Sequence, residues 1–492
     1  MTVRQFGLAI GPLAFALTAL IAPPEGMSAG AWLVAGLVIW MAAWWMTEAV
    51  PLSVTALLPF LILPLSGVMT AREAASAYYA PILFLLLGGA FIALAIERTG
   101  LHRRLSLAIL NTVGTGGGET RLLFAFMISA AILSMLISNT STALIMMPMA
   151  LAVLSGGAMA STEQETTVAA KAAPAPPTTA AEVQQDGLFG ALPMGIAFGA
   201  SIGGLGTLVG SPTNGIAVQL LDTMIGLEIG FATWMVFGLP IVAVSIPLAA
   251  LIIARVQDIA AHPFDIPAAR AAIDDAKPWS SAEKRLVPII AITFAAWMSR
   301  QMVAPYLPEG SWTDGTIAVI ASLALFLLPD GTGRPMLVWK EADRAPWGVI
   351  FMFGGGLSLA AGMQASGLAD WLGEALLPLE AVPLFVMALA IVTMVVLVTE
   401  FASNVATASA IIPVVASLAA ALGLGEQAVL IAMPAALAAS WGFILPAGTG
   451  PNAIAWSTGR LRIERLVRAG LVLDLVGIVL IVGLVWGIAS IA

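Results

Sequence analysis

The sequence predicts an all-α, polytopic membrane protein of about 11 transmembrane helices plus two re-entrant hairpins in two inverted repeats. Three observations carry that expectation: a composition poor in charge, apolar runs of membrane-spanning length, and polar interruptions that recur in two halves of the chain. Of 492 residues, 60% are hydrophobic and 10% charged. A water-soluble domain carries about 25% charged residues, so in water this chain would expose far too much apolar surface. A bilayer core takes about 20 apolar residues per helical crossing, and such runs recur from Phe6 to Ile491. Alternating ten-residue strands are absent, which excludes a β-barrel.

In chain order, hydropathy places helices near 6–23, 29–47, 50–68 and 80–97, then an apolar stretch at 121–155 interrupted by polar residues. Pro23 and Pro24 end the first run and no Ala-x-Ala site follows it, so it reads as a membrane helix rather than a removable signal. The Thr/Ala/Pro/Gln-rich segment from Ser161 to Gln185 reads as a flexible linker. Further spans fall near 188–222, 230–254, 286–306, 313–329 and 347–365. A second interrupted stretch covers 380–422, followed by 427–457 and a last helix at 469–491.

Charge orients these spans. Let the N-terminus be cytoplasmic and let each interrupted stretch enter and leave the membrane on one side. The cytoplasmic segments then hold Arg4, Arg98, Arg103, Arg104, Arg121, Lys171, the 255–285 and 334–344 loops, Arg460, Arg462, Arg465 and Arg468. Only Arg72 and Arg300 of the 20 Lys and Arg residues lie elsewhere, as the positive-inside rule expects. The expected location is a cell (inner) membrane, with the C-terminus outside.

The absence of cysteine excludes disulfides, thiolate metal sites and cysteine nucleophiles. His102 and His262 fall in polar connecting segments, which argues against imidazole catalysis. A formal charge of −8 argues against a nucleic-acid partner.

The two halves resemble each other. LLLGGAFIALAIERTGL (85–101) aligns with FMFGGGLSLAAGMQASGL (351–368), matching Gly88/Gly89 to Gly355/Gly356 and Thr99-Gly100-Leu101 to Ser366-Gly367-Leu368. ISNTSTALIMMP (137–148) aligns with ASNVATASAIIP (402–413) at a constant offset of 265, and GSPTN (210–214) pairs with GTGPN (448–452). By the charge argument the first hairpin opens to the cytoplasm and the second to the outside. Repeats of opposite orientation are the architecture of many secondary transporters, with the ligand held where the repeats meet.

Each repeat sets a Ser-Asn pair inside an apolar stretch, Ser138-Asn139-Thr140 and Ser403-Asn404-Val405, and later adds a Gly/Pro-broken helix, Gly206 to Asn214 and Gly448 to Asn452. Unpaired backbone is tolerated at membrane depth only where it lines a cavity. Half-helix N-termini supply N–H donors for anions, while free carbonyls and Ser, Thr or Asn oxygens suit hard cations such as Na+. These segments contain no Lys or Arg, so a buried dianion needs helix dipoles and co-bound cations to offset its charge. Ser, Thr and Gly in membrane helices commonly serve packing, but four motifs at repeat-related positions outweigh that reading. Glu48, Glu400 and Asp474 are further acids in or beside helices. GTGGGE (114–119) lacks a following Lys and reads as a turn, and Trp44, Trp45 and Trp312 read as interfacial anchors.

WWMTEAVPLSVTALLPFLILPL (44–65), GLHRR (100–104), ISNTSTALIMMP, WSSAEKRLV (279–287) and TEFASNVAT (399–407) resemble the divalent anion/sodium symporter family, the INDY-type sodium/dicarboxylate transporters. The resemblance runs along nearly the whole chain. It implies an elevator-type homodimer, with scaffold helices over 1–120 and, after an interfacial segment, over 230–379. A transport domain comprises 121–229, with a linker at 156–187, and 380–492. It further implies a first sodium site at Ser134, Ser138, Asn139 and the Gly210 backbone, and a second at Thr399, Ala402, Asn404 and Gly448. Substrate carboxylates would meet Asn139, Thr140, Ser211, Asn404 and Thr449. Val405 stands where the family pattern has Thr, removing a hydroxyl, and Gly450 stands where Pro is common, which is expected to enlarge the site. The implied activity is Na+-coupled uptake of C4-dicarboxylates, not catalysis; the alternatives are Na+-independent exchange, or symport of citrate, sulfate or another divalent anion.

Overall fold

The computed structural model describes residues 3–113, 118–169, 185–262, 264–265 and 278–491. Among the described residues it is helical, with no sheet beyond an isolated bridge between Pro329 and Pro335. The first half comprises α1 (Val3–Leu20), α2 (Ala29–Thr47), α3 (Leu52–Thr55), α4 (Leu58–Leu65), α5 (Ala71–Ala77), α6 (Ile82–Thr99), α7 (Leu101–Val113), α8 (Glu119–Ser134), α9 (Asn139–Ala169), α10 (Leu188–Gly203), α11 (Pro212–Ile225) and α12 (Phe231–Val256). The second comprises α13 (Ser281–Met298), α14 (Arg300–Val303), α15 (Asp314–Leu327), α16 (Trp339–Ala342), α17 (Trp347–Ser366), α18 (Leu368–Leu376), α19 (Leu384–Phe401), α20 (Asn404–Ala421), α21 (Val429–Ala438), α22 (Gly450–Ser457) and α23 (Ile463–Ala489). Residues 114–117 of the expected turn, 170–184 of the expected linker (Lys171 included), and 263 and 266–277 of the charged loop lie outside the described residues.

Seven of these helices, α2, α6, α12, α17, α19, α20 and α23, are long and apolar enough to cross a membrane, and α13 with α14, bent by 68°, makes an eighth broken span. The chain is a polytopic helical membrane protein. Several expected spans are divided. The run at 50–68 becomes α3 and α4, because Pro51 and Pro59 each remove a backbone donor and favour a helix start. The run at 286–306 bends at Ser299. The backbone of α9 continues to Ala169, into the first part of the segment read as linker.

Two amphipathic helices, α7 and α18, escaped the hydropathy reading because they are too polar for a span. Both follow the repeat-matched glycines. Gly100 (φ 79°, ψ 8°) and Gly367 (φ 79°, ψ 9°) adopt the same left-handed turn, a conformation that glycine reaches without steric cost.

Every residue of α10 is buried, as its all-round apolar sequence requires. It lies close against α8 because Gly195, Gly199 and Gly203 present no side chain there; a β-carbon on Gly199 would sit 2.8 Å from the Met127 carbonyl. The two halves cross: α11 packs on α20, and α22 packs on α9. A separate apolar cluster joins α2 and α4 to α17.

The tryptophan reading needs correction. Trp45 is buried and donates its Nε1 to the Leu52 carbonyl at 3.1 Å, and Trp234, Trp297 and Trp441 are buried too. The chain reversal after α2 supplies the acceptor that an indole needs inside a protein. Glu48 itself is exposed and caps α2 in a left-handed conformation (φ 46°), with no link to the cavity described below.

Candidate functional site

The two hairpins are built alike. Residues 135–138 separate α8 from α9, and Ala402 and Ser403 separate α19 from α20. Ser138 Oγ accepts from Ser141 N at 3.3 Å, and Ser403 Oγ from Ala406 N at 3.2 Å, so each serine caps the helix that follows. Just inside each cap stands an asparagine. With its amide oriented to suit its neighbours, Asn139 donates to Ser134 Oγ at 2.7 Å, Gly210 O at 3.1 Å and Ala200 O at 3.3 Å. Asn404 Oδ1 accepts from Thr399 Oγ1 at 2.9 Å, and that hydroxyl also lies 2.8 Å from Ala439 O. Ser134 and Thr399 are repeat mates at the same offset of 265 as the asparagines.

The broken helices are held open by side-chain amides. Asn214 Nδ2 donates to the Gly204 and Thr207 carbonyls at 2.7 and 2.8 Å, and Asn452 Nδ2 donates to Leu445 O at 3.1 Å. The amide of Asn214 satisfies Gly204 O, which the unwinding leaves without a backbone donor, while Thr207 O and Leu445 O also accept from Gly210 N and Gly448 N at 3.3 and 3.2 Å. The Glu400 carboxylate closes the second break, accepting from Ile444 N and Leu445 N at 2.9 Å each. The acid thus serves the backbone, and the buried Asp474 side chain faces it from α23.

Crossing of the halves gathers these pieces around a cavity of about 480 Å³. All of Asn139, Thr140, Ser211, Asn404, Val405, Thr449 and Gly450 line it, as do Ser138 and Gly448. Ser134, Gly210, Thr399 and Ala402 are not in its lining; Ser134 and Thr399 are fully buried behind it, bonded to the lining asparagines. Four helices begin at its wall: α9 after Ser138, α11 after Ser211, α20 after Ser403 and α22 after Thr449. Every N-terminal turn carries free N–H groups and about half a positive charge, so this part of the wall favours an anion without a charged side chain among its own residues.

The extra room expected at Gly450 is already taken. A β-carbon there would collide with Thr140 Oγ1, so the glycine lets the opposite repeat approach rather than leaving a void. Val405 places an apolar side chain on the cavity wall. Sequence reasoning missed Thr207, whose Oγ1 donates to Met135 O at 2.6 Å and accepts from Gly210 N at 3.1 Å, tying the first hairpin to the first broken helix. Its place within the Gly206–Asn214 break was the available signal. Glu97 and Arg344 at the cavity rim were also missed; they lie 247 residues apart and carry no local motif.

Among the described residues there is no cluster of three or more His, Cys, Asp or Glu able to hold a metal. Broken helices converging on a donor-rich cavity inside a membrane protein are the architecture of a carrier. The chain belongs to the family described as sodium:sulfate symporter transmembrane region, which it matches over residues 4–491. It is 36% identical to the sodium-dependent dicarboxylate transporter SdcS of Staphylococcus saprophyticus, across 98% of this chain and 90% of that one. It is 35% identical to the protein of that name from Staphylococcus aureus (strain MRSA252), across 100% and 92%. Its fold is similar to the crystal structure of the Alcanivorax borkumensis YdaH transporter, with a TM-score of 0.54 and 15% identity over 99% and 98% of the two chains.

Proposed function

We propose that this protein is a secondary active transporter that couples sodium to the uptake of C4-dicarboxylates such as succinate, malate and fumarate. The observation that carries the reading is the meeting of four helix N-termini at one cavity that carries charged side chains only at its rim. Two carboxylates are met by N–H groups and by the Asn139, Thr140, Ser211, Asn404 and Thr449 side chains. The remaining charge is offset by cations bound beside them. With the Asn139 amide turned so that its oxygen, which then accepts from Ser134 Oγ, faces them, Ser134, Ser138, Asn139 and Gly210 O supply one group of neutral oxygens, and Thr399, Ala402, Asn404 and Gly448 the other; such oxygens suit a hard monovalent cation. Sodium here is cargo, released with the anion. Relatives named as sodium-dependent dicarboxylate transporters support both ion and substrate.

In this reading 121–229 and 380–492 form a transport domain that moves as an elevator against a scaffold of 1–120 and 230–379. The halves are inverted repeats, two chains form the dimer, and the N-terminus is cytoplasmic with the C-terminus outside. The cavity rim at Glu97 and Arg344 then faces the cytoplasm. The family description favours one second reading, a divalent inorganic anion such as sulfate.

Uptake of radiolabelled succinate into proteoliposomes, with and without an inward sodium gradient, tests the proposal. Sodium-driven uptake that dicarboxylates compete for, lost in Asn139→Ala and Asn404→Ala, is the expected result. Uptake indifferent to sodium would establish exchange instead, and competition by sulfate or citrate alone would reassign the anion.

A further inference from the structure

Of the described residues lining the cavity, Arg344 is the sole cation and Glu97 the sole acid. They stand together at the rim, with Arg344 Nη1 3.4 Å from Glu97 Oε1 and their side chains 55% and 41% exposed. Glu97 belongs to the last turn of α6, and Arg344 to the segment joining α16 to α17.

The chain leading into that segment is anchored, and Arg344 N donates to Glu341 O at 3.2 Å. Asp330, almost wholly buried, pairs with Arg98, which also donates to the Met336 carbonyl. Glu341 binds Arg334 at 2.7 Å and Val338 N at 3.1 Å, and lies 3.6 Å from Arg98 Nε. The Arg344 backbone is therefore held in place, whereas its guanidinium makes one long, single-point contact with Glu97. An arginine engaged through both arms at under about 3 Å would be a structural clamp; this one keeps donors in reserve.

We propose that Arg344 docks a substrate carboxylate at the cavity mouth on this face, where the anion departs in uptake and lands in the reverse direction, with Glu97 as an exchangeable competitor for the guanidinium. The inference rests on the anion-transport reading above. The planar fork of Arg344 matches a carboxylate at two points, and it stands at the exposed rim, away from the neutral oxygens proposed to hold sodium. A lone arginine there would hold the dianion too long. Glu97 takes the guanidinium back as the anion moves on, so binding stays strong enough to admit it and weak enough to release it.

The test uses Arg344→Gln, Glu97→Gln and Arg344→Lys in membrane vesicles of each orientation, with radiolabelled succinate under a sodium gradient. On the face that carries the pair, Arg344→Gln raises the apparent KM about threefold, the effect of one half-exposed charge, and Glu97→Gln lowers it by a similar factor. Arg344→Lys recovers part of the loss. All three differences shrink as ionic strength rises and the charges are screened. Shifts of the same sign in Arg344→Gln and Glu97→Gln, equal shifts on both faces, or insensitivity to salt would make the pair structural and overturn the inference. Sodium-driven uptake with KM unchanged in every variant overturns it alone, whereas no sodium-driven uptake by the wild type overturns the transport reading with it.

Discussion

Thr140 Oγ1 occupies the space in front of Gly450, so that a hydroxyl from the first repeat sits where a β-carbon of the second cannot. The contact joins the N-terminal turns of α9 and α22 across the cavity. It makes the two halves of the site interdependent, since no side chain can be added at Gly450 without displacing Thr140.

Gly450→Ala is therefore expected to displace the Thr140 hydroxyl and raise the KM for dicarboxylate about tenfold. A hydrogen bond to a charged group contributes about 1.5–3 kcal/mol. Thr140→Ala raises KM by a similar factor. The double variant costs less than the sum, because the smaller side chain relieves the collision. Initial rates of uptake in the four proteins of the cycle measure the coupling.

Val405→Thr works in the opposite direction. It restores a hydroxyl to the wall opposite Thr140 at nearly constant volume and is expected to lower KM for succinate severalfold, with a smaller effect on monocarboxylate competitors. A KM that rises would show that Val405 serves packing alone.

Asn214→Ala leaves the buried Gly204 carbonyl without its donor and the Thr207 carbonyl with Gly210 N alone, at 3.3 Å. The expected loss is about 1–3 kcal/mol, seen as a lower Tm of the purified protein. Asn452→Ala removes a longer bond and leaves Leu445 O with its second donor, Gly448 N at 3.2 Å, and is expected to lower Tm less. Equal losses would contradict the assignment of these amides as the braces of the two breaks.

Asp330 gives a pH dependence. Burial opposes its ionisation, but hydrogen bonds from Arg98 and Thr332 outweigh burial and hold the carboxyl well below the usual carboxylate range. Because the folded value is depressed, the stabilisation is fully present above the ordinary carboxylate pKa and is lost as pH falls through the folded one. Asp330→Asn is thus expected to lower Tm at neutral pH, and the gap to wild type to close under strong acid. A gap independent of pH would show that the carboxylate charge is not what matters.

Much of the molecule was legible in one dimension. The bilayer demands long apolar segments and forbids loose backbone, so hydropathy located the long spans, and polar residues inside apolar runs marked the breaks. Two copies at an offset of 265 made Asn139 and Asn404 conspicuous. The amphipathic helices α7 and α18 stayed hidden because only packing against neighbours makes a short, half-polar segment helical.

Local pattern and the solvent it implies were thus enough for the class of the protein, the breaks in its helices and the residues at those breaks. Contacts between distant parts of the chain settled the rest. Whether Gly450 leaves a void or admits Thr140 depends on how closely α9 and α22 approach. Whether Glu400 faces the cavity or closes a backbone gap depends on where α21 ends. That Glu97 and Arg344 meet at the rim depends on the anchored segment before α17. Such distances follow from how side chains fill the space between helices, and no periodicity along the chain encodes them.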